Sequence, residues 1–138
     1  MSKNTPINNL VCIIELFNQT IAEANMRSFY TKIVGVTFNN HNGSQRQQLI
    51  TDMTRHYQRR GFVALHLLRQ QNNPHDKNAV AVLDPHGRQL GYLSRQVART
   101  IAPVIDNGGS VSATAVNITG GTPKNFGVNL RLEYSVAA

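Results

Sequence analysis

Residues 72–84 read NNPHDKNAVAVLD, a turn followed by a strand. In Asn73-Pro74 the proline fixes one φ and the asparagine amide can bond the backbone ahead of it, which is turn chemistry. From Asn78 to Asp84 the apolar run NAVAVL is the pattern of a core strand. The turn therefore holds His75, Asp76 and Lys77 at the entrance to a buried strand. An acid at that place poses a question, because the 138-residue chain carries 14 Lys plus Arg against 7 Asp plus Glu, for a net charge of +7.

Working outward from this stretch, Pro85-His86-Gly87 forms a second turn and Gln89 to Leu93 a second short strand. Ser94 caps a helix running to about Ile105, which Asp106-Asn107-Gly108-Gly109 stop. The pattern VSATAVNI, 111–118, is a strand; Thr119 to Asn125, TGGTPKN, reads as a flexible loop; FGVNLRLEY, 126–134, is the closing strand. Upstream, Phe62 to Arg69 forms a strand preceded by Gly61. Before it lies a helix from a Ser44 cap to Arg60, with Leu49, Ile50, Met53 and Tyr57 on one face and Arg46, Arg55, Arg59 and Arg60 elsewhere. Asn39 to Gly43 separate this helix from a β-branched and aromatic strand at Phe29 to Phe38. Thr5-Pro6 starts an N-terminal helix to about Met26. Its stripe of Leu10, Ile13, Ile14, Phe17 and Ile21 is widened by Ile7, Val11 and Leu16.

The pattern predicts a mainly β domain with helices: a small antiparallel β-barrel of about six strands with two inserted helices and an added N-terminal helix. One core suffices at this length. Residues 1–28 form an amphipathic extension and 29–138 the domain. The wide apolar face of residues 6–26 leaves open either a cap on the core or a homodimer or partner contact.

A net positive charge and a pI near 10.2 favour acidic partners. The bases are spread along the chain with no polybasic run, so a folded surface has to gather them. Cys12 is the single cysteine, which excludes an internal disulfide and points to a reducing, cytoplasmic setting. Lys3, the run Leu10 to Ile14 and Ala22-Glu23-Ala24 have a faint signal-peptide shape, but Glu15 and Asn18 interrupt it. They also interrupt any membrane span.

Catalytic machinery is not legible. The five histidines, His41, His56, His66, His75 and His86, form no pair at metal-ligand spacing, and a nuclease built on His75, Asp76 and Asp84 lacks a ligand pattern. There is no nucleophile elbow and no phosphate-cradling glycine loop. No enzyme, metal or cofactor is expected. Single-stranded nucleic acid requires cations for phosphate and flat side chains for bases. Phe38, His75, Tyr92 and Phe126 are the candidate stacking residues, with Lys77, Arg95, Arg99 and Lys124 in the same turns or just beyond. Phe38 and Phe126 have a plain alternative as core residues, and His75 as a solvated turn residue.

NNPHDKNAVAVLD followed by GRQLGYLSRQVARTIAPVID resembles the HIRAN domain family, and KIVGVTF, 32–38, is similar to that family's opening strand. The resemblance spans Lys32 to Tyr134. It implies a modified OB-like barrel that binds single-stranded DNA at a free 3′ end. Relatives with this pattern include a domain of fork-remodelling, helicase-like repair proteins and stand-alone bacterial and phage proteins, so a separately encoded helicase or nuclease is an implied partner. By the same resemblance, Phe38 stacks on a base, His75 stacks on or lines the terminal nucleotide, and Asp76 meets the terminal hydroxyl. Arg95 meets a phosphate and Phe126 lies near the second base. Asn78 ties down the turn through its side-chain amide. Two positions depart from the family's pattern: Thr37 stands where end-binding members carry arginine, and His75 replaces a tyrosine.

The acid then has a physical reading. A carboxylate accepts a hydrogen bond from a terminal hydroxyl and repels a phosphate that would continue the strand. The alternative function is a non-catalytic interaction or regulatory domain acting through the N-terminal helix.

Overall fold

The structure, a computed structural model, describes residues 25–136. The expected N-terminal helix, Cys12 and nearly all of the contact face at 6–26 lie outside the described residues. Six strands and two helices follow in chain order: β1 Met26–Lys32, α1 Arg46–Arg60, β2 Val63–Arg69, β3 Val80–Leu83, β4 Gln89–Tyr92, α2 Arg95–Asp106, β5 Val111–Gly121 and β6 Lys124–Ser135. They make one antiparallel sheet in the order β1-β6-β5-β2-β3-β4. It curls into a half-barrel, the OB-like form expected from the sequence.

The curl brings the two sheet edges together at one residue. Ile33 still donates to the Val128 carbonyl of β6 at 3.0 Å, but Val34 exchanges both backbone hydrogen bonds with Tyr92 of β4, at 2.8 and 2.9 Å. This corrects the expected strand at Phe29 to Phe38. Strand-forming side chains continue past Lys32, yet the chain is handed from one edge to the other and then turned by Gly35, whose φ is +73°. Phe38 therefore stands in a bend after the turn and not at a strand end. Close approach at the seam is possible because residue 91 has no side chain: a Cβ there would lie 2.4 Å from the Val34 carbonyl oxygen and 2.5 Å from Ile33 Cγ2.

A single core fills the curl. Leu65, Val80, Val82, Leu90, Val128, Leu130 and Leu132 from the sheet meet Leu49, Ile50 and Met53 of α1 and Ala98, Ile101 and Ala102 of α2. The α1 stripe is the one expected, with one correction. Arg46, placed by periodicity away from the apolar face, is buried. Ser44 does not cap this helix: its hydroxyl donates to Asn42 Oδ1 at 2.7 Å, and Gln45 takes the cap position without a side-chain bond. The local asparagine turn outcompetes the cap. Gly61 ends α1 as expected, in the left-handed conformation with its N–H on the Tyr57 carbonyl. The Tyr57 hydroxyl reaches the Val116 carbonyl at 3.2 Å, beside a register shift in β5 where a ladder partner is lost.

The supposed loop 119–125 is mostly strand. β5 extends to Gly121 and β6 starts at Lys124, leaving Thr122-Pro123 as the turn. Gly120, at φ +80°, permits this pairing, since a Cβ would lie 2.1 Å from the Asn125 carbonyl oxygen. Among the described residues no helix is long and apolar enough to cross a membrane.

Ser94 caps α2 as expected, its hydroxyl accepting from the Val97 N–H at 3.3 Å. The other end is tied to β2: Arg69 makes two bonds to Asp106, at 3.0 and 3.2 Å, and Gln71 adds a third at 3.2 Å. The Arg69 bond holds the Asp106 carboxyl below its ordinary value of 3.8. A depressed acid stabilises the fold above its unfolded pKa and loses that contribution as pH falls through the lower folded value. Asp106→Asn is therefore expected to lower the urea midpoint at neutral pH, with the gap to wild type closing as pH drops below 3.8. A gap that stays constant into acid would show that the pair carries no charge-dependent stability.

Candidate nucleic-acid interface

The turn before β3 is held by two side chains. Asn73 Oδ1 accepts from the backbone N–H groups of His75 and Asp76, at 2.9 and 3.3 Å, and Asp76 Oδ1 accepts from the Asn78 N–H at 2.9 Å. Asn78 thus joins the turn through its backbone, with its side-chain amide making no hydrogen bond among the described residues; this corrects the role expected for it. Asn73 is fixed in its own right, since its amide nitrogen donates to Gln70 Oε1 at 3.0 Å. One Asp76 oxygen is spent on the turn. The other, Oδ2, has no hydrogen-bond partner among the described residues, although Asp76 is half-buried.

This carboxylate lines a cavity of about 210 Å³ together with Val34, His75, Tyr92 and Arg95. Each wall comes from a different part of the fold: the turn, the seam, the end of β4 and the first residue of α2. The Ser94 cap sets the direction of α2, and Arg95 extends one guanidinium nitrogen to the His75 carbonyl at 2.9 Å. Its Nε and the other terminal nitrogen make no bond among the described residues, and they remain available as donors to an anion. The Tyr92 hydroxyl donates to Gln70 Oε1 at 3.0 Å. The Arg46 guanidinium lies 5.5 Å from the centre of the Tyr92 ring, a cation–π contact. Arg46 is also bonded to the Gly35 carbonyl and Asn40 Oδ1, each at 2.8 Å. Burial pushes its pKa down, partly offset by Tyr92; an arginine nevertheless stays cationic.

The remaining candidates stand around this centre or apart from it. Thr37 and Phe38 lie on the turn that follows Val34, and the Phe38 ring, beside Gly35, is 67% exposed. Phe126 is half-buried, its backbone clamped by Gln47, whose amide accepts from the Phe126 N–H at 2.7 Å and donates to the Phe126 and Val36 carbonyls, both at 3.0 Å. Gln47 therefore links the Thr37–Phe38 turn to the β5–β6 hairpin, on which Lys124 is exposed. Lys77 is exposed on the Asp76 turn, and Arg99 is exposed one helical turn beyond Arg95; neither lines the cavity. Arg55, Arg59 and Arg60 belong to the far half of α1. At 1.5 Å per residue Arg59 and Arg60 are roughly 20 Å along the axis from Arg46, so they do not flank the cavity.

Asp84 contributes to no shared site with Asp76. It is 1% exposed and bonded to Arg88 Nε at 2.7 Å and to the N–H groups of His86 and Arg88.

A half-barrel whose edges meet at a Val-Gly and a Gly-Tyr, with an Asn-Pro-x-Asp turn beside them, is a combination that can be compared with known proteins. The sequence profile of the HIRAN domain matches residues 26–136. The chain belongs to the HIRAN domain family. Over 41 residues it is 46% identical to the helicase-like transcription factor of Oryctolagus cuniculus, a stretch that is 30% of this chain and 4% of that protein. The match thus spans a small part of the relative's length. Among solved structures, a protein from Lactobacillus plantarum superposes with a TM-score of 0.61 over 81% of this chain and 99% of its own, at 19% identity. The HIRAN domain of human HLTF, also known in a DNA-bound conformation, gives 0.53 over 83% of both chains, at 21% identity. These likenesses agree with the curled sheet described above.

Within this HIRAN domain, the sequence does not assign to the site two side chains that line the cavity, Val34 and Asn73, or two that hold Tyr92 from outside it, Arg46 and Gln70. By its pattern Val34 is one more strand residue, and Asn73 is turn chemistry only. Arg46 and Gln70 carried no signal, because what makes them matter is a contact with Tyr92 across the fold.

Proposed function

We infer that this HIRAN domain binds single-stranded DNA, prefers a strand ending in a free 3′-hydroxyl, and performs no reaction on it. The observation that carries the reading is the uncommitted Oδ2 of Asp76 on the wall of a cavity with Arg95 at its edge. A terminal hydroxyl donates to that oxygen; a phosphate in the same place meets a fixed negative charge. Arg95 attracts the phosphate on the 5′ side of the terminal nucleotide, and His75 and Tyr92 supply flat surfaces to the sugar and base. At about 210 Å³ the cavity is smaller than the roughly 300 Å³ at which pockets for drug-sized ligands begin, which suits the end of a chain.

Elsewhere along the strand, exposed Phe38 and the edge of Phe126 offer stacking to a base, and Lys77, Arg99 and Lys124 add attraction without discrimination. The human relative's DNA-bound state supports the same ligand class. Thr37 and His75, in place of an arginine and a tyrosine, make the expected affinity modest. A helicase or nuclease acting on the same DNA is the partner this reading implies.

Fluorescence anisotropy with a short single strand bearing a 3′-hydroxyl or a 3′-phosphate tests it. The hydroxyl strand is expected to bind about tenfold more tightly, corresponding to about 1.4 kcal/mol, with the ratio kept as salt weakens both affinities. Equal and steeply salt-sensitive binding of the two would overturn end recognition and leave only a basic surface.

A further inference from the structure

Tyr92 and Asn73 have a second cavity on them. It measures about 440 Å³, twice the first, and its character differs: besides Tyr92 and the buried Arg46, its walls include Gln70, Gln71, Asn72 and Gln89. No carboxylate lines it. Several of the amide atoms are already spoken for. Gln70 Oε1 receives both the Tyr92 hydroxyl and the Asn73 amide, Gln71 Nε2 bonds Asp106, and Gln89 Nε2 bonds the Gly91 carbonyl at 3.3 Å. Their complements are not. Gln70 Nε2, Gln71 Oε1, Gln89 Oε1 and both polar atoms of Asn72 make no hydrogen bond among the described residues.

Because the bonded half of Gln70, Gln71 and Gln89 fixes each of these amides, their open donors and acceptors are held in place rather than rotating freely, while exposed Asn72 is free to turn toward a ligand. A neutral, flat group with donors and acceptors on its edge matches such a wall. A phosphate matches it less well: Arg69 is consumed by Asp106 and the Ala79 carbonyl, and Arg46 spends Nε and Nη1 on Asn40 and the Gly35 carbonyl. Nucleobases are read by side-chain amides in this way, on edges that a single strand leaves open.

We propose that this amide-lined cavity takes the nucleobase of a nucleotide next to the strand end and gives the domain a base preference there. The inference rests on the end-binding reading above, since the shared wall of Tyr92 and Asn73 makes a strand seated in the first cavity pass the second. Asp76 selects the end; Gln70, Gln71, Asn72 and Gln89 select the base beside it.

The test is a panel of 3′-hydroxyl oligonucleotides with each base in turn at each of the last three positions, measured by anisotropy together with the 3′-phosphate control. One position is expected to show a best-to-worst ratio of at least about fivefold, the lower end of discrimination by side-chain hydrogen bonds to a base. In the double variant Gln71→Ala, Asn72→Ala that ratio is expected to fall below about twofold, with the hydroxyl-to-phosphate ratio unchanged. A flat panel in the wild type, alongside an intact hydroxyl preference, overturns the base-reading cavity and leaves end recognition standing. So does a preference that the double variant retains. Loss of hydroxyl preference in the wild type removes the end reading itself and the inference with it.

Discussion

Asp76→Asn is expected to abolish the preference for a 3′-hydroxyl over a 3′-phosphate strand, and to do so mainly by strengthening the phosphate complex. Asparagine keeps an Oδ1 for the Asn78 N–H, which at 2.9 Å is the bond that shapes the turn. The change therefore falls on the second position, where an acceptor with a full share of negative charge becomes an amide that donates. Two unit charges about 4 Å apart interact by about 4 kcal/mol at an effective dielectric of 20. Half-burial and salt reduce this, and about 1–2 kcal/mol is expected to survive, or roughly tenfold in the ratio of affinities. Titrating both strands against both proteins measures it. An unchanged ratio in the variant would mean that the carboxylate only builds the turn and that end selection lies elsewhere. Thermal melting of the same samples checks that the turn is intact, with a change of no more than a few degrees expected.

Gly91→Ala is expected to have the largest effect on stability. The added methyl would sit 2.4 Å from the Val34 carbonyl oxygen and 2.5 Å from Ile33 Cγ2, distances no Cβ tolerates. Relief has to come from backbone, because Gly91 is paired with Val82 on one side and lies under the seam on the other. Overpacking of this kind costs about 3 kcal/mol, and more where backbone must move. A fall of roughly 10 °C or more in Tm is the corresponding readout. Binding to the 3′-hydroxyl strand should weaken even at temperatures where the variant stays folded, since the displaced segment carries Val34 on the cavity wall. A variant with wild-type Tm and affinity would show that the two edges do not meet at residue 91. Gly87→Ala serves as a comparison: nothing lies within 4 Å of its Cβ position, so its cost is limited to the strained φ of +84°.

How much of this was legible in the sequence follows from the range of the interactions concerned. The Asn73 to Asp84 turn and strand, the Ser94 cap and the Gly61 stop were readable because each is made by residues within a few positions of one another. The three residues of the cavity that the motif places together, His75, Asp76 and Arg95, meet through a turn and a capped helix start that are both local. What failed was long-range. The pattern FYTKIVGVTF has uniform strand propensity, and only the meeting with Tyr92, 58 positions after Val34, ends the strand early and throws Phe38 into solvent. Helical periodicity cannot distinguish an arginine that faces water from one that is buried under a tyrosine of β4, and so it misplaces Arg46. Glycine and proline in TGGTPKN suggested a flexible loop, whereas the glycines serve to let two paired strands run on.

The Val34–Tyr92 pair is both the last rung that shuts the sheet and two walls of the candidate cavity. By linkage, a strand end that binds only the shut form must stabilise that rung by its own binding free energy, and any opening of the rung must weaken binding to the same degree. Among the described residues the clasp is a piece of the backbone ladder itself, so that for a ligand of this kind occupancy and closure would be one equilibrium.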